Sequence, residues 1–229
     1  MEEIDKYEVE KLFIIKKNQL KLLSRRGYDI ERERSILSLT LQDFIDIYIP
    51  FAQKSKKTFR QVLSQTYEKV DEKVKTERLV VYYADAPIST SQLGVDAVGD
   101  AIFEMDRFKA KNGILITPKN LSPAARKKIE GLVSYNIYIF MENEMAYDPT
   151  EHFLTPEHKA LSTDEQREFL KKNNLSIDNL NYILTTDMIV RYYGFRPGQI
   201  IKINRTNLYD SIVQNSISYR VVKEDTASI

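Results

Sequence analysis

Few side chains in this sequence could carry out chemistry. Its two histidines, His152 and His158, lie six residues apart, and each directly follows a glutamate. Histidine and glutamate are both zinc ligands, but a six-residue spacing in a proline-containing loop matches none of the usual ligand patterns. We therefore expect both imidazoles to hydrogen-bond the backbone of the loop. We predict no metal site and no cofactor.

Three carboxylates near the first clear strand would suit a metal-dependent nuclease. Glu77 precedes this strand, Asp85 follows it, and Glu104 lies in the next helical segment. Such enzymes also need an acidic residue and a lysine close together at a strand end to hold the divalent ion, but residues 113–117, the next strand, have no acidic side chain. The sequence also has no cysteine, GxSxG elbow or GxxxxGK[ST] loop. We predict no catalytic residue.

Basic residues form two local clusters. The first, around residues 54–60, is typical of a solvated face. In the second, Ser122 and Pro123 predict the start of a helix, and its free backbone N–H groups among cations could hold a phosphate without reading base sequence. The residues predicted to lie near DNA are Lys119, Ser122, Pro123, Ala124, Ala125 and Arg126.

The composition argues against a free-standing nucleic-acid-binding protein. Among 229 residues, 34 are lysine or arginine and 33 are aspartate or glutamate. Any contact with nucleic acid must then be local and weak, or be supported by a partner. No apolar run approaches the length of a membrane span, and the acidic start does not resemble a signal peptide. We expect an intracellular protein that makes no membrane contact.

The pattern of elements predicts two domains. Before residue 148, helices over 7–26 and 38–49 precede strands at 79–83, 113–117 and 136–141, with helices at 95–108 and from Ser122 between them. Residues 54–75 give no clear assignment. We predict an α/β domain over residues 1–148, in which a small mixed sheet has crossover helices. After it, helices at 162–172 and 186–193 and strands at 199–203 and 217–222 predict a compact α+β domain over residues 149–229.

Four segments of the second domain resemble one known family. They are Glu151–His158 (EHFLTPEH), Ile189–Gly194 (IVRYYG), Pro197–Ile203 (PGQIIKI) and Tyr219–Val222 (YRVV). In this order they resemble the EHxLxPEH, VARYxG…RGQVVKI and YR(L/V)V motifs of the fifth-largest subunit shared by eukaryotic RNA polymerases I, II and III. The C-terminal half also resembles the shorter archaeal counterpart of that subunit. Residues 26–28 and 122–126 resemble N-terminal segments of the eukaryotic type.

The sequence departs from the family pattern in three places. Met188 stands where the family usually has proline, residues 206–216 replace a shorter segment, and residues 29–78 are hard to align. Whatever these regions bind in the family is therefore not carried over. Such divergence would suit a divergent eukaryote or the polymerase of a large DNA virus.

The resemblance implies a non-catalytic polymerase subunit. The C-terminal domain would dock on the largest subunit, and the N-terminal domain would form part of a jaw beside downstream double-stranded DNA. Other polymerase subunits would be partners, and the chain would not form a homo-oligomer. Its location would be nuclear in a cell, or a cytoplasmic factory or virion for a virus. The implied assembly residues are His152, Pro156, His158, Arg191, Tyr192, Gly194, Gly198, Tyr219 and Arg220.

Two alternatives belong to other functional classes. A free-standing, weakly DNA-binding protein would show measurable affinity by itself, falling steeply with salt. A degenerate nuclease-like domain would bind divalent ions. The near-neutral charge disfavours the first, and the lack of catalytic motifs disfavours the second.

Overall fold

A computed structural model describes residues 6–71, 74–86, 89–207 and 214–225. The chain divides into two compact units, residues 1–147 and 148–229. Each unit contains one four-stranded mixed sheet together with helices, so the fold is a mixture of α and β structure. No helix in the described ranges is long and apolar enough to cross a membrane.

The N-terminal sheet has the strand order β1-β2-β3-β4. β1 is Gln65–Asp71, β2 is Val74–Tyr83, β3 is Asn112–Thr117 and β4 is Asn136–Met141. β1 and β2 are antiparallel, whereas β2, β3 and β4 are parallel. Parallel neighbours need crossover connections, and two helices supply them: α4 (Val95–Arg107) and α5 (Pro123–Glu130). The predicted crossover helices are therefore present.

Both faces of this sheet are covered. α4 and α5 pack on the face that carries Leu115 and Ile137. α1 (Lys6–Arg25) packs on the opposite face, where Gln19 on the helix is hydrogen-bonded to the hydroxyl of Tyr83 in β2. α1 ends where the sequence predicts, at Gly27 with a φ of 81°, a left-handed conformation that glycine adopts without a Cβ clash. Burial on both faces explains why β3 is apolar along almost its whole length.

The second predicted helix differs from the expectation. α2 spans Leu41–Ser55 and contains Pro50 in its interior, whereas the sequence predicts that the helix stops there. Thr40 caps its start, and Lys56 ends it in a left-handed conformation. Buried Phe44 and Ala52 lie on either side of the proline, so packing on both sides offsets the lost backbone hydrogen bond.

The stretch without a clear assignment contains parts of four elements. It includes the end of α2, the short helix α3 (Phe59–Leu63), β1 and the start of β2. Thr58 caps α3 through a capping box. The remaining helix of this unit is α6 (Glu142–Met145), and a 3₁₀ helix, Glu31–Ser38, follows α1.

The C-terminal sheet has the strand order β5-β7-β8-β6. β5 is Glu157–Ala160, β6 is Tyr182–Leu184, β7 is Ile200–Asn207 and β8 is Gln214–Lys223. β8 pairs antiparallel with β7 and parallel with β6. The helices are α7 (Thr163–Lys172) and α8 (Met188–Tyr193), with a short 3₁₀ helix at Ile177–Asn179. His158 therefore lies in an edge strand, where the sequence predicts a loop.

Candidate functional site

The family-like motifs of the C-terminal unit lie in and beside one face of its sheet. Ile201 and Ile203 of β7, Val222 of β8 and Ile183 of β6 form a buried cluster there, and Val190 of α8 packs against it. In this register His158 pairs with Ile203, and Arg220 pairs with Ile201. Because side chains alternate between the faces of a strand, His158 and Arg220 point to the same face as this core.

α8 is fixed at both ends by its own sequence. The carboxylate of Asp187 accepts a hydrogen bond of 2.8 Å from the Ile189 N–H at the start of the helix. At its end Gly194 has a φ of 69°, and the Phe195 N–H donates to the Val190 carbonyl over 3.0 Å. Phe195 packs on the sheet core. This glycine-based ending sets the direction in which the chain leaves the helix.

The next turn holds Gly198 in the conformation that its sequence requires. Residues 196–199 read Arg-Pro-Gly-Gln, and Gly198 has a φ of 83°. Proline followed by glycine in this conformation is the pattern of a type II turn. The Gln199 side chain accepts from the Arg196 N–H over 2.7 Å, and the Gly198 N–H donates to the Val222 carbonyl over 2.9 Å. The turn therefore ties α8 to β8.

Each of the two histidines is hydrogen-bonded to the backbone of its own segment. His158 Nδ1 lies 2.7 Å from the Pro156 carbonyl, and because a carbonyl only accepts, Nδ1 carries the proton. His152 Nδ1 accepts from the Leu154 N–H over 3.2 Å. Groups of three or more potential metal ligands are absent from the described ranges. The backbone bonding that we expect for both imidazoles is confirmed.

His158 also lies among charged side chains. Burial lowers its pKa, and the charges of Arg205 and Arg220 lower it further, while the Pro156 carbonyl and the Asp187 carboxylate act in the opposite direction. The neutral imidazole is therefore the form that the folded unit favours. Arg220 on β8 and Asp187 at the start of α8 thus influence one histidine from two elements.

The opposite face of the sheet carries Tyr219. Its ring lies 4.0 Å from that of Phe169 on α7, centroid to centroid. Tyr219 pairs with Lys202 across the β7–β8 ladder. The predicted assembly residues thus occupy both faces of the sheet. His158 and Arg220 lie on the α8 side, whereas Tyr219 lies on the α7 side.

Two neighbouring tyrosines have different environments. Tyr192 is 1% exposed, so its side chain packs inside this unit, and any role in assembly would be through the shape of the unit. Tyr193 is half-buried and stacks on Phe195, with 5.1 Å between ring centroids. Arg191 is also half-buried, and one of its guanidinium nitrogens lies 3.6 Å from the sulfur of Met188.

The motif loop before β5 exposes apolar side chains. Phe153 is 74% exposed and Leu154 is 63% exposed. The ring of His152 stacks on that of Phe153, with 5.0 Å between centroids. The histidines and the proline of this loop are among the predicted assembly residues, whereas Phe153 and Leu154 are not. Their apolar character in a polar, proline-containing loop was the available signal.

In the N-terminal unit, the basic turn before α5 has the predicted local structure. The Ser122 hydroxyl accepts from the Ala125 N–H over 3.3 Å, and Pro123 is the first helical residue. A backbone hydrogen bond of 2.9 Å from Ser122 to Leu93 ties the turn to the start of α4. Lys119 donates to the Thr90 carbonyl over 2.5 Å.

The residues of this turn differ in their exposure to solvent. Pro123, Ala124 and Arg126 are exposed, whereas Ala125 is fully buried against the sheet. The Ala125 side chain therefore packs in the core and offers no surface to a nucleic acid. Among the residues described, no carboxylate forms a salt bridge with Arg126, so its charge is available to an external anion.

The carboxylates considered for a nuclease lie apart and have other roles. Glu77 lies inside β2 and accepts from the Tyr28 hydroxyl over 2.6 Å and from Asn112 over 2.9 Å. Asp85 follows the strand and accepts from the Thr58 hydroxyl over 2.8 Å. Eight residues of extended chain separate these two by roughly 26 Å, too far to share one ion. Glu104 pairs with Arg107.

The least expected feature is a buried lysine on α1. Lys16 is fully buried, and its ammonium donates to the Tyr67 hydroxyl over 3.0 Å and lies 3.0 Å from the Glu33 carboxylate. Burial lowers its pKa, and Glu33 opposes that shift. Lys16 lies one helical turn from both Leu12 and Leu20. A cation inside an apolar stripe was the available sequence signal.

The C-terminal unit is similar to a described family of domains. Residues 147–222 match the model of the RNA polymerase Rpb5, C-terminal domain. The matched range contains all four motif segments and almost the whole C-terminal unit.

Similarity to curated proteins extends over nearly the whole chain. The chain is 26% identical to DNA-directed RNA polymerase V subunit 5A of Arabidopsis thaliana, over 94% of this chain and 89% of that protein. It is also 26% identical to the DNA-directed RNA polymerases I, II, and III subunit RPABC1 of Caenorhabditis briggsae, over 95% of this chain and 98% of that protein. A DNA-directed RNA polymerase subunit 5-like protein 1 of Arabidopsis thaliana is 27% identical over 87% of this chain and 91% of that protein. The resemblance inferred from the motifs is confirmed.

Proposed function

We propose that this chain, whose C-terminal unit matches the model of the Rpb5 C-terminal domain, is a non-catalytic structural subunit of a multisubunit DNA-dependent RNA polymerase. The observation that carries the proposal is similarity over 94–95% of the chain to polymerase subunits, together with the family match over residues 147–222. Other polymerase subunits are then its partners, and the nucleus is its expected location. The plant and nematode relatives lend no support to a viral origin.

The C-terminal unit would dock on the largest polymerase subunit. Exposed aromatic and aliphatic side chains in the motif loop support this role, because a partner would remove their apolar surface from water. Phe153 and Leu154 are the strongest candidates, since both are more than half exposed. Half-buried Arg191 offers a guanidinium of the kind that interfaces favour.

The N-terminal unit would lie beside downstream DNA. The exposed part of the turn, Pro123, Ala124 and Arg126, supports this role because it combines a helix start with a cation that no described carboxylate neutralises. Such a contact would reach the phosphate backbone and would be weak alone. Tethering to a large complex would supply the effective concentration that weak binding needs.

Co-purification from the cells that encode this chain tests the proposal. The tagged chain should recover the largest polymerase subunits, identified by mass spectrometry. The double substitution Phe153→Ser and Leu154→Ser should reduce that recovery while leaving the thermal unfolding of the free chain unchanged, since both residues are exposed.

A charge reversal gives a second variant and its control. Arg191→Glu should also weaken recovery. Arg167→Glu should not, because Arg167 is a largely exposed residue of α7 outside the motif segments, paired with the exposed Asp164. Recovery of the tagged chain alone would contradict the subunit role. Full recovery with both the serine pair and Arg191→Glu would place the docking surface elsewhere.

A further inference from the structure

The N-terminal unit contains a cleft that the proposed function leaves without a role. Its volume is about 460 Å³, within the range of sites that hold small ligands or short peptide segments. Its lining comes from the segment after α1, from β1, from Arg78 of β2 and from the end of α4 with the two residues after it: Asp29, Ile30, Arg32, Glu33, Gln65, Thr66, Tyr67, Glu68, Arg78, Arg107, Phe108 and Lys109.

β1 is an edge strand, so one side of its backbone is not paired with another strand. The Glu68 carbonyl faces that side, because it accepts from the Asp29 N–H over 2.8 Å. In an antiparallel pair, residues two apart face the same way. The N–H and carbonyl of Thr66 therefore also point away from β2 and toward the open edge.

Thr66 offers hydrogen-bonding groups that its own unit does not use. In the parts of the chain that the structure describes, no hydrogen bond outside the β1–β2 pair reaches its backbone. Its hydroxyl oxygen is buried and likewise has no partner there. Unpaired polar groups at a strand edge favour the addition of a further strand, because each gains a hydrogen bond.

The charges around the cleft favour an acidic occupant. Of the three carboxylates in its lining, Glu33 is paired with Lys16 at 3.0 Å and Glu68 with Arg78 at 2.8 Å, while Asp29 accepts from the Glu31 N–H over 2.8 Å. On the rim, Arg32 and Lys109 form no salt bridge within the described ranges. Ile30 and Phe108 add apolar surface to the lining.

We propose that this cleft binds an acidic peptide segment of a partner protein in extended form, as an added strand on the outer edge of β1. The backbone of Thr66 would form the central hydrogen bonds. Arg32 and Lys109 would attract the acidic side chains, while alternate apolar side chains would contact Ile30 and Phe108. This is recognition by strand addition, in which the backbone supplies affinity and the rim supplies selectivity.

Two peptides of matched strand propensity test this site on the full chain. The probe is a fluorescein-labelled Glu-Val-Glu-Val-Glu-Val peptide, and its control is Lys-Val-Lys-Val-Lys-Val. At physiological salt the acidic peptide should bind at least about tenfold more tightly. In two-dimensional NMR of the labelled full chain, hydrogen exchange of the Thr66 amide should slow when the acidic peptide is added. Binding without protection of that amide would overturn strand addition.

Two charge reversals on the same 3₁₀ helix locate the binding. Arg32→Glu should weaken binding of the acidic peptide by about tenfold. Arg34→Glu is the matched control, because Arg34 pairs with Glu31 and lies outside the cleft lining, and it should leave the affinity nearly unchanged. Equal loss in both variants, equal binding of the basic peptide, or no binding would overturn the proposal. None of these results depends on polymerase assembly. The peptide-binding proposal can therefore be wrong while the proposed subunit role is right, and the reverse.

Discussion

In the N-terminal unit the most deeply buried charges are paired with one another, whereas the salt bridge described in the C-terminal unit joins two exposed side chains. Glu142, 2% exposed, is bound by Lys11 at 3.0 Å and by Arg60 at 2.8 Å, and Lys16 is bound by Glu33. The C-terminal salt bridge between Arg167 and Asp164 lies on the surface, and Phe153 and Leu154 face solvent.

This difference distinguishes two ways of specifying a structure. A buried ion pair adds little net stability but strongly disfavours any fold that leaves one charge alone. In the N-terminal unit, buried ion pairs therefore help to select the native fold over alternatives. The C-terminal unit relies on capped turns and a small apolar core, and its exposed apolar loop suits contact with a partner.

Removing one partner of the buried pair should give the largest effect. Lys16→Ala leaves Glu33 with an uncompensated, mostly buried charge, and should lower the free energy of unfolding of the N-terminal unit by about 3 kcal/mol. Arg34→Ala is the control, because it breaks an exposed pair and should cost no more than about 0.5 kcal/mol. Urea denaturation measures both. Equal losses of unfolding free energy in the two variants would contradict the claim that the buried pair constrains the fold more than an exposed pair does.

Glycine substitutions test the turns of the C-terminal unit. Gly198 has a φ of 83° and open space around the position of a Cβ, so Gly198→Ala should cost about 1–2 kcal/mol through backbone strain alone. Gly131, at the end of α5, has a φ of −72° and only ordinary contacts. Gly131→Ala should therefore be neutral or stabilise by up to about 1 kcal/mol. A loss at Gly131 equal to that at Gly198 would contradict the strain argument.

Acid should weaken the C-terminal unit through His158. The pKa of this histidine is lower in the folded than in the unfolded state. Its contribution is therefore complete above the unfolded value of about 6.5 and is lost as the pH falls toward and through the folded value. Denaturation at several pH values between 5 and 7.5 should show this decline. His158→Asn keeps an N–H donor for Pro156 and should reduce the slope; an unchanged slope would assign the effect to other groups.

A substitution at the basic turn should give the smallest effect. In the assembled polymerase, Arg126→Glu should weaken DNA binding modestly. The fall of log affinity with log salt should become less steep, by about one in the slope. Arg34→Glu, on the 3₁₀ helix after α1, serves as a control of equal charge change. An unchanged salt dependence with Arg126→Glu would remove this turn from the DNA path.

The sequence predicts elements well where local signals agree. Asn136–Met141 forms β4 with the expected bounds, and the N-caps Ser122 and Ser162 begin helices where predicted. β5 and β6 were missed because strands of four and three residues gain their identity from pairing with β7 and β8. The prediction that the second helix stops at Pro50 was wrong because tertiary packing outweighed the tendency of proline to break helices.

Long-range pairing limits what the sequence predicts about the sites. The motif residues were found through their resemblance to a known family, but the burial of Tyr192 and Ala125 depends on which surfaces the helices cover. The partners Arg60 and Glu142 lie 82 residues apart, and no local pattern joins them. The cleft beside β1 was also missed, because residues 54–75, which contain β1, gave no clear assignment from which to place an edge strand.

RNA synthesis by complexes captured on the tagged chain tests the central claim most directly. Eluates should incorporate labelled nucleotides on a DNA template, and incorporation should fall in proportion to the polymerase lost with the Phe153→Ser and Leu154→Ser variant. The free chain should show no synthesis. A captured complex without polymerase activity or polymerase subunits would contradict the account.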